Sequence, residues 1–250
     1  METLTHDAQA GPRIPLAGTY NFRSPAGYET AAGPIRAGSL FRSDALHRID
    51  AAGARQLAEH GIVRIIDLRD ADELRRAPSA VPGALVETVH HPLFAGGAIP
   101  QGGQPPSLAE VYRIIATDRA LALVGAVRLI ADAPAGGVLV NCTAGKDRTG
   151  MVVATTLTAV GVPREQVVAD YAASAANLAG EWADEMLASF TAQHGVAPDS
   201  VRELVAASPA ELVDEALNLI DDVHGGSERL LRSGGFDDDA LSRLQSRLVG

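Results

Sequence analysis

Apolar and polar positions follow two rhythms along this chain, and the change falls a little past its middle. Before residue 142, short apolar runs with β-branched residues read as strands at 39–42, 63–68 (Val-Arg-Ile-Ile-Asp-Leu), 85–90 and 138–142 (Val-Leu-Val-Asn-Cys). The second and fourth have the continuous apolar character of strands buried on both faces. Helical spacing occupies 50–60, stopped by Gly61, and 107–130, divided near 117–119. Residues 96–106, rich in Gly, Pro and Gln, read as a surface loop. Beyond residue 142 the pattern is helical almost throughout. The segment 151–160 is apolar on every side, so it is expected to be buried, and Gly161 with Pro163 ends it. Further helices are expected at 164–177, 181–193, 200–204, 209–223, 227–232 and 238–248. The last opens on Asp237, Asp238 and Asp239 and carries Arg243 and Arg247 near its end, as the helix dipole favours. The expectation is a flexible arm over 1–12 and one α/β domain over 13–250, in which helices surround a small central sheet.

Composition narrows the function classes. The chain has 250 residues, 46% of them hydrophobic and 21% charged, enough for a sizeable core; aromatics supply only 4%, so aliphatic residues must fill it. The net charge of −10 argues against a nucleic-acid partner, which needs a broad basic face, but not against a locally positive site for an anion. The first residues lack the basic start and apolar run of a secretion signal, and no stretch is apolar enough to span a membrane. The expected location is the cytoplasm, or outside the cell by a route without a classical signal. There is one cysteine, Cys142, so no disulfide forms within the chain and no cysteine-rich zinc site exists.

That cysteine lies in Asn141-Cys142-Thr143-Ala144-Gly145-Lys146-Asp147-Arg148-Thr149-Gly150, between an expected buried strand and an expected buried helix. Strand–loop–helix geometry points successive backbone N–H groups inward and adds the partial positive charge of a helix N-terminus. Five residues separate Cys142 from Arg148, enough to wrap one tetrahedral oxyanion and return a guanidinium that binds two of its oxygens. Ala144 and Gly145 leave room for close approach to the backbone. The same surroundings favour the thiolate, the nucleophilic form of cysteine. Expected phosphate ligands are Thr143, Ala144, Gly145, Lys146, Asp147, Arg148 and Thr149, with a cysteinyl-phosphate formed on Cys142. Thr149 reads either as a partner of the thiolate or as a helix-start hydroxyl.

These ten residues resemble the active-site loop of the bacterial tyrosine and dual-specificity phosphatases of the protein tyrosine phosphatase B type, which has the form His-Cys-x-x-Gly-Lys-Asp-Arg-Thr-Gly. Asn21-Phe22-Arg23 with Tyr28, Leu40-Phe41-Arg42-Ser43-Asp44, Ile66-Asp67-Leu68-Arg69 with Glu73, Asp170-Tyr171 and Gly226-Ser227-Glu228 resemble its other signatures, in the family's order. The resemblance implies a phosphotyrosine-phosphatase-like fold with a helical insert after the loop, over about 170–205. It also implies a protein tyrosine phosphatase with dual-specificity or phosphoinositide activity, acting on a phosphorylated protein or phosphoinositide, binding phosphate or another oxyanion, and needing no cofactor. Lys146 is the residue on which lipid-phosphate activity would rest. Two positions depart from the pattern: Asn141 stands where the family has histidine, which predicts weaker activity but not loss, and Ser24 stands where an acid is usual.

The leaving group needs a proton from a carboxyl. Asp147 lies inside the loop, and Asp67 ends a central strand at the sheet edge where α/β sites form. Each has a structural alternative, bracing the loop for Asp147 and an ion pair with Arg69 or Arg42 for Asp67. Arg42 and Arg69 read either as site residues or as partners of Asp44 and Asp67. The pair His90-His91 lacks the carboxylate–histidine spacing of a metal site. Leu178, Trp182, Met186 and Phe190 recur every four residues, as a packed helix or a lid over the site would require. The competing functional readings are a weakly active or inactive phosphate-binding module and a sulfurtransferase using a persulfide on Cys142.

Overall fold

The computed structural model describes residues 9–94, 106–196, 201–202, 205 and 207–250. The expected loop at 96–106, helix at 200–204 and N-terminal arm lie largely outside the described residues. Four strands, β3 (Leu40–Ser43), β4 (Ile62–Asp67), β5 (Glu87–His90) and β6 (Gly137–Asn141), form one parallel sheet in the order β3-β6-β4-β5. Each crossover between parallel neighbours carries helix, as such connections require. A small antiparallel pair, β1 (Glu29–Thr30) and β2 (Gly33–Pro34), precedes the sheet.

Period-two alternation assigns the strand side chains to two cores. Leu40, Ile66, Val138 and Val140 face one side, and Phe41, Ile65 and Leu139 the other. The second side is closed by α1 (Ala51–Glu59) through Ala54 and Leu57. The first side carries the larger core, built from α3 (Leu108–Ala116), α4 (Ala120–Ala131), α5 (Asp147–Ala159), α6 (Arg164–Leu178), α8 (Ala210–His224), α9 (Ser227–Ser233) and α10 (Asp238–Leu248). A short helix, α2 (Ala71–Arg76), follows β4, and α7 (Glu181–His194) follows α6. No helix among the described residues is long and apolar enough to cross a membrane.

Three departures from the expected elements have local causes. The expected strand at 85–90 begins only at Glu87, because Leu85 is half exposed in the preceding turn. The polar helix α2 buries none of its own residues and so leaves no apolar stripe to read; the Asp70–Glu73 capping box holds it. Helix α5 starts at Asp147, four residues before the apolar run, so Arg148 and Thr149 sit in its first turn.

Candidate active site

Strand β6 ends at Asn141 in the centre of the sheet, and Cys142, 2% exposed, follows it directly. The chain must then reverse into α5 within four residues. It does so at Gly145, whose φ of +64° is left-handed and whose Cβ, if present, would lie 2.3 Å from the Ser43 carbonyl. Gly150 serves the opposite side of the turn, since a Cβ there would meet the Tyr171 ring at 2.8 Å.

Donors outside the loop draw its carbonyls outward. Ala45 N–H donates to the Thr143 carbonyl (3.1 Å), Asn21 Nδ2 to those of Ala144 (3.0 Å) and Gly145 (3.2 Å), and Arg42 Nη2 to that of Gly145 (2.8 Å). In a planar trans peptide the next N–H points the opposite way. The amides of Ala144, Gly145 and Lys146 therefore face into the loop, beside the unsatisfied N–H groups of the first turn of α5. Such an arrangement can hold an anion beside Cys142.

The braces are themselves braced. Asp44 accepts the backbone N–H groups of Tyr20 (3.0 Å) and Asn21 (2.9 Å). Arg42 is fully buried and pairs with Asp170 of α6, which also receives Arg23 and the Tyr28 hydroxyl (3.1 Å). Burial alone would raise the pKa of Asp170, but Arg42 and Arg23 outweigh it and hold the carboxyl below its ordinary value. Arg42 thus finds its carboxylate 128 residues away, not at the neighbouring Asp44.

Arg148 forms a bidentate pair with Glu73 of α2, Nη1 to Oε2 at 2.6 Å and Nη2 to Oε1 at 2.7 Å, and Glu73 also accepts the Thr143 hydroxyl. Burial pushes the Glu73 carboxyl up, yet Arg148, Thr143 and the Asp70 N–H hold it at about 2. Desolvation opposes the charge on Arg148, and Glu73 and the Cys142 sulfur more than restore it, so its ionisation lies above the usual guanidinium range. Sequence reasoning placed Glu73 in a motif but gave it no role. The Asp70-x-x-Glu73 capping pattern was the available signal.

The two acid candidates separate. Asp67 is buried and held by both arms of Arg69, Nη2 to Oδ2 at 2.7 Å and Nε to Oδ1 at 2.9 Å. Asp147 keeps 18% of its side chain exposed in the loop; its Oδ1 accepts the Tyr112 hydroxyl at 2.8 Å and lies 3.8 Å from Lys146 Nζ. Lys146 is fully buried, and its ammonium donates to the Ala207 carbonyl at 2.7 Å. Among the described residues, the buried Thr149 hydroxyl and both amide atoms of Asn141 have no hydrogen-bond partner, an arrangement that costs about 1–3 kcal/mol per unsatisfied group. His90 and His91 turn their Nε2 atoms to the carbonyls of Arg69 and Ala122.

Leu178, Trp182 and Met186 pack with Ala183, Tyr20, Val205 and the loop residue Ala144; Phe190 is half-buried. The first three residues of the stripe therefore share a cluster with the loop residue Ala144. The exposed Arg48–Glu185 ion pair ties α7 to the segment after β3.

A family model described as the tyrosine phosphatase family matches residues 14–250. The chain is 31% identical to the triple specificity protein phosphatase PtpB of Mycobacterium tuberculosis, over 94% of its own length and 98% of the relative's. A tyrosine-protein phosphatase of Nostoc commune is 30% identical, over 90% of this chain and 78% of that protein.

Proposed function

This chain belongs to the tyrosine phosphatase family, and on that premise we propose that it hydrolyses phosphate monoesters on Cys142, with Arg148 holding the phosphoryl oxygens and Asp147 moving the proton. The observation that carries this reading is the outward pull on the carbonyls of Thr143, Ala144 and Gly145, which turns the loop amides toward the Cys142 end.

The thiolate attacks phosphorus; the S–P bond forms as the bond to the leaving oxygen breaks. Asp147, entering protonated, gives that oxygen its proton. Arg148, kept planar and aimed by Glu73, and the inward amides stabilise the charge spreading over the three equatorial oxygens. Water then attacks the cysteinyl-phosphate, Asp147 takes its proton, and the S–P bond breaks to return thiolate and phosphate. The Thr149 hydroxyl, buried one residue after Arg148, is placed to donate to the departing sulfur.

For substrate range, the ammonium of Lys146 is buried behind the loop on the Ala207 carbonyl, and its field adds to that of Arg148, which favours substrates with more than one phosphate. The name of the Mycobacterium tuberculosis relative points the same way. The expected order of kcat/KM is phosphotyrosine peptide first, with measurable turnover of phosphothreonine peptide and of a phosphoinositide. Absence of phosphotyrosine turnover would reject the reading, and turnover of phosphotyrosine alone would reject the wider specificity.

The α6–α7 insert is read as a cover over the cradle, because its apolar stripe packs against Ala144. Vanadate, seated beneath it, is expected to slow subtilisin cleavage at the exposed link around Gly180. Equal cleavage rates with and without vanadate would leave the insert as fixed core.

A further inference from the structure

Behind the loop, two tyrosines from different helices converge on the carboxyl assigned to proton transfer. The Tyr112 side chain, on α3, is fully enclosed; its hydroxyl lies 2.8 Å from Asp147 Oδ1 and 2.6 Å from the hydroxyl of Tyr171 on α6. The rings meet edge to face, with centroids 5.8 Å apart and planes at 84°. Tyr112 carries a single hydroxyl proton. Opposite an ionised Asp147 that proton goes to the carboxylate, and Tyr171 completes the chain by donating to the Tyr112 oxygen. Lys146 Nζ approaches the same Oδ1, at 3.8 Å. Among the described residues, the polar contacts on this carboxyl thus fall on Oδ1.

We propose that Tyr112, backed by Tyr171, is a positioning residue for Asp147: it fixes the carboxyl through Oδ1, so that the proton delivered to the leaving group is carried on Oδ2. The inference deepens the assignment of Asp147 as general acid and rests on it. Oδ1 faces a hydroxyl donor and an ammonium, so it is the oxygen that keeps the negative charge, and a carboxylic acid protonates at its other oxygen. Burial, then the charge of Asp147 and the Tyr171 hydroxyl, push the pKa of Tyr112 well above that of a free phenol, so it stays a donor throughout the working range of the enzyme. The other charges around the pair are Arg148 on α5, Arg42 on β3 near Tyr171, and Arg113 and Glu215 on α3 and α8, which line a cleft with Tyr112.

Tyr112→Phe removes the hydroxyl and keeps the ring packing; the buried Tyr171 hydroxyl loses its partner, so the variant should stay folded with a lowered melting temperature. A donor that favours the carboxylate is lost, so the basic limb of the kcat–pH profile moves to higher pH. Misaligned proton delivery matters most for a poor leaving group: kcat on phenyl phosphate should fall about tenfold, and on p-nitrophenyl phosphate less than about threefold. Tyr171→Phe should act in the same direction but more weakly. Asp147→Asn, measured alongside, should lose the basic limb altogether. If Asp147→Asn loses the limb while Tyr112→Phe leaves it in place and slows both esters equally, the positioning role is overturned and the general acid stands. If Asp147→Asn keeps the limb, the general-acid reading fails and the positioning role with it.

Discussion

Cys142→Ser is expected to reduce kcat on p-nitrophenyl phosphate by at least about 10⁴-fold, the scale of removing a covalent nucleophile. Serine is close to cysteine in volume and meets the same buried surroundings at the end of β6, so the sheet and the cradle should survive the change. Its hydroxyl is a far weaker acid than a thiol, and neither the inward amides nor Arg148 brings it into the anionic form near neutral pH. Binding of inorganic phosphate should persist, because the ligands proposed for the oxyanion are backbone N–H groups and a guanidinium. The check is paired: turnover by release of p-nitrophenol, and anion affinity by calorimetry. Retained turnover would remove Cys142 from the role of nucleophile; lost anion binding with lost turnover would mean that the cradle itself had collapsed.

Arg148→Lys should have the next largest effect, lowering kcat about 10³-fold, the upper range for loss of a preorganised transition-state donor. Charge is conserved, but the planar fork is not. In the wild type the guanidinium spans both oxygens of Glu73 while facing the cradle, and a single ammonium cannot do both. The change should also alter acid stability. Glu73 is held at about 2 in the folded protein against an ordinary 4.5. A depressed carboxyl contributes stability that is present above the unfolded value and is lost as pH falls through the folded one. The wild-type melting temperature should therefore fall between about pH 4.5 and pH 2, and the lysine variant should show a shallower fall across that window. An unchanged kcat in the variant would show that the bidentate geometry is not needed.

The parts of this site that were legible in the sequence are those carried by contiguous residues. Both buried strands, β4 and β6, announced themselves by apolar runs, and the loop between β6 and α5 by its spacing of cysteine, glycine and arginine. What was not legible depends on long-range contact. Arg42 had Asp44 two residues away, yet pairs with Asp170 on α6 because Asp44 is already taken by the amides of Tyr20 and Asn21. Tyr112 gave only an apolar position on a helical stripe; that its hydroxyl reaches Asp147 follows from how α3 packs on α5, which no local pattern encodes. Asp67 illustrates the converse: its partner Arg69 was two residues away, and the local pairing holds. Helix α2 escaped detection because six residues with four charges and no buried face show no apolar periodicity, although its capping box is written in the chain.

The sulfur in the cradle is also the only one in the chain that can form a disulfide. Once a peroxide turns it into a sulfenic acid, there is no resolving thiol within the molecule to capture it. Condensation with a neighbouring backbone nitrogen loses water and only caps the oxidised sulfur; recovery of the thiolate needs reduction by a thiol arriving from solution, which must reach a residue that is 2% exposed. An enzyme built this way loses activity to oxidants one molecule at a time, and its recovery is set by the reductants around it.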